Sequence, residues 1–388
     1  MTDPSADATA PSAWRESWLS IDLDAIAANA AAVRELVAPS QLCAVVKADG
    51  YGHGTLAAAR AARRGGATWF GVALVEEGDE LRRGGITEPV LVLSEQPPAA
   101  TAAALDAGLT VTVASPRGLG AVTAWARRTG REAAVHLKVN TGMNRMGAEL
   151  GDAPGLARSI ASAPGVSLGG TWTHLACADD PDPSVTERQL ADFQALLAVL
   201  GRDGIDPGIV HAANSAGAIA APGSRLGLVR CGIAIYGIAP SVAMTAATDA
   251  IGLRPALSLH TTVTAVRRVS AGVGISYGHA AHTERPSTIA TVAVGYADGL
   301  PRRSGLTGAS VLLRGERHPV IGVVTMDQTM VDCGDLDVEV GEPVVVIGDQ
   351  GPGQITANEL GERLSTIGYE VVCGMSRRLP RRYLGVDR

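Results

Sequence analysis

Short apolar runs alternate with stretches of helical periodicity over the first 250 residues of the 388-residue chain. Eight of these runs are predicted strands: LCAVVKA, WFGVAL, PVLVLS, LTVTVAS, AAVHLKVN, LGGTWTHLA, IVHAAN and LVRCGIAIYG. Ala-rich segments between them, including 55–65, 97–107, 116–129 and 185–201, have helical spacing and Ser, Thr or Pro near their starts. Strands that are apolar at every position are buried on both faces, as in parallel βα units. Eight such units predict a (β/α)8 barrel.

After about residue 255 the pattern changes to β-rich runs separated by Gly and Pro, with helical signal only near 356–364. The predicted organisation is an α/β protein with a tail at 1–16, a barrel over 17–252 and a mostly β domain over 253–388. The tail is rich in Ala, Pro, Asp and Ser and lacks a basic start and an apolar core. We expect it to be disordered and not to be a signal peptide.

Composition excludes several classes of protein. The net charge is −6 without a basic run, so nucleic acid is not an expected partner. Five widely spaced cysteines without a CxxC pair form neither a disulfide framework nor a zinc site, and no other metal is expected. No apolar stretch approaches the roughly 18 residues that a membrane span needs. We therefore expect a cytoplasmic protein that is not in the membrane.

Only two of the 33 basic residues are lysines, Lys47 and Lys138, and the others are arginines. Arginine stays protonated, whereas a desolvated lysine amine can lose its proton and act as a nucleophile or base. Codon bias is the simpler explanation of this scarcity. Amine chemistry at one of the two lysines is the interpretation that the sequence favours.

Unusual polar residues fall near the carboxyl ends of the predicted strands, where barrel enzymes carry their chemistry. They are Lys47 at the end of strand one, Lys138 within strand five, Arg145 in the loop after it, His174 at the end of strand six, Asn214 and Ser215 at the end of strand seven, and Arg230 beside Gly232 in strand eight. Singly, His174 could be a core histidine and Ser215 a helix N-cap. Convergence from five strands instead indicates a binding site.

The segments after strands seven and eight suggest a phosphate site. Small residues in HAANSAGA open a helix, and a glycine in RCGIAIYG permits close approach of the backbone. A phosphate there and an amine at Lys47 suggest a phosphorylated aldehyde held as a Schiff base, for which pyridoxal phosphate is the obvious candidate. Tyr51, Tyr277 and Tyr296 lie next to glycines in tight loops, which suit aiming a hydroxyl better than filling a core.

Five segments, AVVKADGYGHG, HLKVNTGMNRMG, GISYGHAA, VAVGYADGLPRR and PVIGVVTMDQTMVD, resemble in order the signature segments of bacterial alanine racemases. The resemblance spans about residues 17–385. It implies a barrel joined to a β domain, bound pyridoxal phosphate, and a head-to-tail homodimer with active sites between the barrel of one subunit and the β domain of the other. It also implies interconversion of L- and D-alanine, which supplies D-alanine for peptidoglycan.

Two residues match the family's acid–base pair: Lys47, which would also hold the cofactor, and Tyr277, which the partner subunit would supply on the opposite face. A proton removed from one face of the α-carbon must be returned on the other, so racemisation needs a group on each side. Arg230 would hydrogen-bond the pyridine nitrogen. His174 would link Arg230 to the tyrosine network. The resemblance assigns the remaining cofactor-binding positions to Tyr51, Asn214, Ser215, Gly232 and Ile233.

The substrate carboxylate would bind to Arg145 and the backbone of Met326, with Asp327 and Tyr296 nearby. Lys138 matches a lysine that many family members carry as a carbamate. A carbamate would turn a cation beside Arg145 into an anion that pairs with it. A plain lysine in an ion network is the alternative.

The chain departs from the usual family pattern at the entrance to the site. Val323 stands where Arg is usual, and Arg377 stands where many members have Tyr. Asn140 and Asn144 replace Asp and Gly, with little expected effect. We hypothesise that Arg377 attracts the substrate carboxylate, so a strict preference for alanine does not follow from the sequence.

Three other functions fit the sequence less well. A racemase of broader specificity, for example for serine, is the nearest, although such enzymes are often secreted with a disulfide and the chain has neither mark. A barrel decarboxylase would carry HGGG-type and EPGR-type segments, which do not occur here. A non-catalytic pyridoxal phosphate carrier is typically a lone barrel, whereas this chain adds a second domain with Tyr277.

Overall fold

A computed structural model of the protein describes residues 16–385, so the tail predicted at 1–16 lies outside the described residues except for its last residue. The described chain divides into two compact units. Residues 26–254 form the barrel unit, and residues 16–25 together with 255–385 form the β unit. Strand β1 (Trp18–Asp22) belongs to the β unit.

Nine strands lie in the barrel unit: β2 (Gln41–Val45), β3 (Trp69–Val72), β4 (Val90–Val92), β5 (Thr110–Val113), β6 (Ala133–Asn140), β7 (Ala148–Glu149), β8 (Val166–Trp172), β9 (Ile209–His211) and β10 (Leu228–Cys231). All except β7 form a parallel sheet in the order β10-β2-β3-β4-β5-β6-β8-β9. Hydrogen bonds from Gly227 N to Val210 O (2.9 Å) and from Arg230 N to Ala213 O (3.0 Å) join β9 to β10 and close the barrel. The eight predicted strands and the predicted barrel are confirmed.

Helices alternate with these strands, as βα units require. The helical elements are α1 (Leu23–Val37), α2 (Lys47–Tyr51, a turn of left-handed residues), α3 (Thr55–Arg64), α4 (Val75–Arg83), α5 (Pro98–Asp106), α6 (Pro116–Thr129), α7 (Ala153–Ser162), α8 (Ser184–Arg202), α9 (Ser215–Ala220), α10 (Thr245–Ala250), α11 (Ala357–Arg363) and α12 (Gly368–Cys373). The local signals explain where they begin. At α6, for example, Ser115 Oγ accepts a hydrogen bond from Gly118 N (3.1 Å), and Pro116 is the first helical residue.

The β unit is built on β1 and ten further strands: β11 (Leu257–Val269), β12 (Gly274–Ile275), β13 (Ala281–His282), β14 (Ser287–Val292), β15 (Ser310–Leu313), β16 (Glu316–Pro319), β17 (Thr329–Asp332), β18 (Pro343–Gln350), β19 (Gly353–Ile355) and β20 (Arg381–Leu384). The main sheet has the order β16-β15-β18-β11-β1-β20, with β14 joining β17 to β11 and β19 pairing with β18. Its pairs are antiparallel except for β1 with β20. The mostly β character predicted for this region is confirmed.

Two local features differ from the sequence-based expectation. Residues 18–22 are predicted within the barrel domain, but β1 pairs with β11 and β20, where Ser20 lies opposite Ser258 and Arg382. Helix α12 carries no clear periodic signal and is not predicted. Within residues 16–385, no helix combines the length and the apolar character needed to cross a membrane.

Candidate active site

Lys47 begins a left-handed turn two residues beyond the last residue of β2, and does not lie in the strand itself. Residues 48–51 have φ angles of 53°, 55°, 58° and 54°, and only Gly50 among them is a glycine. A non-glycine residue in the left-handed region costs about 1–3 kcal/mol, so such a run persists only where the surroundings impose it. Backbone strain is therefore concentrated directly after Lys47.

His53 and Tyr236 hold this turn. His53 is fully buried, and its Nδ1 donates to the carbonyl oxygens of Gly50 (3.0 Å) and Tyr51 (2.9 Å). Two acceptors require a donor, so His53 carries its proton on Nδ1. The His53 ring stacks on Tyr236 at 4.4 Å, and the Tyr236 hydroxyl donates to Val45 O (3.2 Å) at the end of β2. The strand end and the turn are thus fixed together.

Tyr51, Ser215 and Gly232 meet in a cradle of hydroxyls and backbone amides. A Cβ atom on Gly232 would lie 2.3 Å from Tyr51 Oη, so the close approach requires glycine. Ser215 Oγ accepts hydrogen bonds from Gly232 N (3.1 Å) and Ala234 N (3.3 Å). Asn214, and not Ser215, caps α9 with its side-chain oxygen (2.9 Å). Convergent amides and hydroxyls of this kind suit a phosphate group.

Arg230 is the centre of a buried hydrogen-bond network. Its Nη1 donates to His211 Nδ1 (2.8 Å), and its Nη2 donates to the carbonyl oxygens of Thr173 (2.8 Å) and Ala212 (2.9 Å). The same Nη2 lies 3.3 Å from His174 Nδ1. Burial lowers the pKa of Arg230 to about 10, so the guanidinium stays charged at neutral pH.

The charge of Arg230 fixes the tautomers of three histidines. A guanidinium only donates, so His211 accepts at Nδ1 and carries its proton on Nε2. That Nε2–H donates to His136 Nδ1 (2.9 Å), so the proton of His136 is on its own Nε2. For the same reason His174 accepts at Nδ1 and carries its proton on Nε2. Burial, followed by the charge of Arg230, lowers the pKa of His136 to about 4 and holds the pKa values of His174 and His211 well below the ordinary range. All three imidazoles are therefore neutral.

Trp172 presents its indole ring to two cations. It is 1% exposed, with Lys138 Nζ 4.4 Å and Arg230 Cζ 4.6 Å from the ring centroid. The indole also stacks on His211, with centroids 5.4 Å apart and planes at 8°. A desolvated cation–π contact contributes about 2 kcal/mol, so the indole offsets part of the cost of burying both cations.

Lys138 has a strongly perturbed amine. Burial, followed by the positive charges of Arg145, Arg230 and Lys47, lowers its pKa from 10.5 to about 7. After burial, the positive charges of Arg230, Arg145, Lys138 and Lys47 also lower the pKa of His174. Because the charges that shift these two residues are all positive, an anion bound among them would relieve their repulsion. We conclude that this rim of the barrel suits a phosphate, carboxylate or carbamate.

Tyr277 lies on a short turn of the β unit and is 70% exposed. Ser276 before it has φ +65°, and its Oγ donates to Val323 O (2.6 Å). The Val323 side chain is buried. A large aromatic side chain held on the surface by a constrained turn is not explained by packing within the described chain.

Tyr296, Met326 and Asp327 lie on two turns of the β unit whose backbones touch. Tyr296 N donates to Thr325 O (2.9 Å). A Cβ atom on Gly295 would lie 2.3 Å from Met326 O, so the contact depends on glycine. These turns keep Tyr296 and Met326, 40% and 53% exposed, close together on one surface.

Two consecutive arginines beside these turns have different environments. Arg378 Nη2 donates to Asp327 Oδ1 (2.6 Å), and its Nε lies 3.6 Å from a carboxylate oxygen of the fully buried Asp298. Arg377 is exposed and has no hydrogen bond or ion pair with residues 16–385. Its charge is therefore available to a solute.

The predicted site residues divide between the two units. The barrel unit carries Lys47, Tyr51, Lys138, Arg145, His174, Asn214, Ser215, Arg230, Gly232 and Ile233, and the β unit carries Tyr277, Tyr296, Met326 and Asp327. Within the barrel unit, contacts join Tyr51, Ser215 and Gly232, and a hydrogen bond joins Arg230 to His174. Arg145 is exposed but near enough to shift the pKa of Lys138.

Sequence reasoning missed several residues of this site. His53, Trp172 and His211 have contacts with predicted residues but no predicted role. His136 hydrogen-bonds to His211, and Glu77 accepts a hydrogen bond from the backbone next to Lys47. A weak signal existed for two of them: His136 and Trp172 each lie two positions from a predicted residue, Lys138 or His174, and alternate positions of a strand share a face.

The fold and the site define a (β/α)8-barrel protein with a lysine-centred anion site, joined in one chain to a mostly β unit. Family models of alanine racemase match both regions: the N-terminal domain model matches residues 21–240, and the C-terminal domain model matches residues 256–383. The chain belongs to the alanine racemase family, and the resemblance read from its sequence is confirmed.

Individual relatives agree with this assignment. The alanine racemase of Symbiobacterium thermophilum is 47% identical over 374 residues, covering 96% of this chain and 98% of the relative. The alanine racemase of Thermobifida fusca is 42% identical, with 95% and 98% coverage. Among solved structures, alanine racemase from D-cycloserine-producing Streptomyces lavendulae superposes with a TM-score of 0.90 at 38% identity, covering 96% of this chain and 98% of that one. The Bacillus anthracis alanine racemase with bound L-Ala-P gives 0.88 at 38% identity, with 96% and 95% coverage.

Proposed function

We propose that this chain is an alanine racemase that interconverts L- and D-alanine with pyridoxal phosphate held at Lys47. Full-length similarity to proteins named alanine racemase supports the reaction. The structural observation that carries the proposal is the placement of Lys47 on a constrained turn beside a cationic, amide-rich rim.

The residues of the rim fit pyridoxal phosphate. The phosphate would lie on Tyr51, Ser215 and the amides of Gly232 and Ile233, a cradle that a side chain at position 232 would fill. Arg230 would donate to the pyridine nitrogen without giving up its proton, which leaves the ring a weaker electron sink and limits side reactions such as transamination. When bound, the cofactor supplies a Schiff base and a conjugated ring that accepts the electrons of the broken Cα–H bond.

Lys47 and Tyr277 would exchange protons with opposite faces of the substrate α-carbon. For one direction of the reaction, the Lys47 amine removes the proton and the Tyr277 hydroxyl returns one on the other face. The roles reverse for the other direction. His174, with its proton on Nε2, would donate to the Tyr277 oxygen and stabilise its deprotonated form.

Tyr277 would come from the second subunit of a head-to-tail homodimer. Its 70% exposure supports this, because a surface tyrosine is available to another copy of the chain. Arg145 and Met326 N would bind the substrate carboxylate, with Tyr296 and Asp327 beside them. All five cysteines are free, which fits a reducing cytoplasm in which D-alanine is made for peptidoglycan.

Arg377 favours a second candidate, a racemase of broader specificity. An uncompensated guanidinium can attract any amino-acid carboxylate, so it does not by itself select alanine. The decarboxylase and carrier functions receive no support from the family match.

The test combines covalent trapping with product assays. Borohydride treatment and peptide mapping should find the cofactor adduct at Lys47 and not at Lys138, and Lys47→Ala should lack it. L-Alanine, L-serine and L-lysine are then assayed separately for their D-enantiomers, with D-alanine expected to form fastest. Mixing Lys47→Ala with Tyr277→Phe subunits should restore roughly a quarter of wild-type activity, because half of the dimers are hybrids with one intact site of two. No adduct at Lys47 overturns the proposal, and no restoration overturns the shared site.

A further inference from the structure

Glu77 makes a hydrogen bond that the capping of its own helix does not explain. It is the third residue of α4, and its Oε2 accepts from Leu74 N (3.0 Å) and Ala73 N (2.8 Å), as a capping glutamate does. Its Oε1 accepts from Ala48 N at 2.7 Å, on the separate segment that carries Lys47. Glu77 therefore joins the start of α4 to the residue directly after Lys47.

Ala48 is the first of the four left-handed residues, with φ 53°. A hydrogen bond to its N–H fixes the orientation of the peptide group between Lys47 and Ala48. His53 holds the carbonyl oxygens of Gly50 and Tyr51 at the other end of the turn. The turn is thus held at both ends, and on the lysine side the acceptor is a carboxylate, which makes a stronger hydrogen bond than a neutral oxygen.

We propose that Glu77 is a positioning residue for Lys47. Its carboxylate keeps the left-handed turn in place, and through the turn it sets the direction in which the Lys47 amine points. The proposal rests on the proposed function, since it assigns Glu77 to the reaction of Lys47. It extends that function to a residue on α4 that touches neither cofactor nor substrate.

The chemistry of the contact selects the variants. Both oxygens of Glu77 accept hydrogen bonds from backbone N–H groups. Glutamine has one accepting oxygen, and its NH2 group is a donor that cannot accept from an N–H. Glu77→Gln must therefore lose either the cap of α4 or the bond to Ala48. Glu76 is exposed, lies on the same helix and makes no hydrogen bond or ion pair with residues 16–385. Glu76→Gln is the matched control for the change in charge.

The first experiment measures kinetics and amine reactivity. We expect Glu77→Gln to lower kcat by about 10- to 100-fold with KM changed less than about threefold, since small displacements of a reacting group have effects of this size. Lys47 and Lys138 are the two lysines of the chain, so trace amine acylation after cofactor removal compares Lys47 with an internal reference. The labelling is done in carbon dioxide-free buffer, which keeps Lys138 as a free amine, and is measured by peptide mass spectrometry. The ratio of their labelling rates should change by about threefold or more in Glu77→Gln and stay constant in Glu76→Gln.

The second experiment is a rescue. Glycine adopts the left-handed region without a steric penalty, so Ala48→Gly makes the turn less dependent on Glu77. Ala48→Gly should restore kcat by about threefold or more in the Glu77→Gln background and change it by less than about twofold alone. If Glu77→Gln does not fold, Glu77→Asp, which keeps the charge but is too short to reach all three amides, takes its place in both experiments.

The proposal is wrong if Glu77→Gln behaves like Glu76→Gln. It is also wrong if kcat and thermal stability fall together while the labelling ratio stays constant and glycine gives no rescue, because that pattern describes a purely structural cap. Failure of the proposed function gives a different result. A wild-type protein that has no racemase activity and no cofactor adduct at Lys47 rejects the proposed function. The labelling ratio still reports whether Glu77 positions Lys47 through the turn.

Discussion

The amine of Lys138 is expected to take up carbon dioxide near neutral pH. Only a neutral amine forms a carbamate. With a pKa of about 7, about half of the Lys138 amine is neutral at pH 7, compared with about 0.03% for a lysine of pKa 10.5. The reactive fraction is thus larger by a factor on the order of 10³. A carbamate would also exchange the repulsion from Arg145 for an attraction.

The assay is ¹³C NMR of the protein in ¹³C-labelled bicarbonate. We expect the wild type to give a carbamate signal that is missing in Lys138→Arg, because the arginine keeps the charge but cannot react. Occupancy should fall as the pH drops below about 7, because the amine becomes protonated. No signal, or a midpoint near the ordinary pKa of lysine, would refute the reasoning and leave a plain lysine in an ion network.

The same shift predicts a pH dependence of stability in carbon dioxide-free buffer. The folded pKa is lowered, so between about pH 7 and 10.5 the unfolded chain binds a proton that the folded chain does not. The free energy of unfolding should therefore rise with pH across this window, by about 1.4 kcal/mol per pH unit from this group. Below pH 7 both states are protonated and the full penalty of the buried cation remains. Lys138→Met should lack this increment in denaturant titrations.

Two further predictions concern the entrance and the buried network. Arg377→Ala should raise KM and weaken its salt dependence with kcat unchanged, because an exposed guanidinium that attracts a carboxylate acts on encounter; an unchanged KM and salt dependence would reject this role. His211→Phe should lower the free energy of unfolding by about 1–3 kcal/mol, because Arg230 Nη1 loses a buried acceptor. Denaturant titration measures this change, and a loss well below 1 kcal/mol would indicate that another acceptor replaces the imidazole.

The parts of the fold that were predictable are those with local signals. β4 illustrates this, because all three of its residues are fully buried and all three are apolar. β1 pairs with β20 from the other end of the chain and with β11 from beyond the barrel, so no window of sequence contains these pairings. The run from His318 to Cys333 is β-rich in sequence, yet between β16 and β17 it is a loop held by its contact with the turn of Tyr296.

The site shows the same division between local and long-range information. Lys47 was recognisable because a cation after an apolar strand is costly and rare. Its left-handed turn was not, because Ala48 and Tyr51 do not favour positive φ, and their conformation is imposed by contacts with His53, Glu77 and the backbone. His136 and His211 occupy ordinary strand positions, and their role emerges only where the fold brings Arg230 to them.

Trp172 gives the protein a built-in optical probe. Its indole faces Arg230, which stays charged, and Lys138, whose charge would change when its amine reacts. The energy of an indole excited state depends on the electric field across the ring. Conversion of the Lys138 ammonium into an anion would reverse the contribution of Lys138 to that field. In a variant that keeps Trp172 as its one tryptophan out of five, the emission colour can therefore follow loading of the barrel rim in real time, without any added dye.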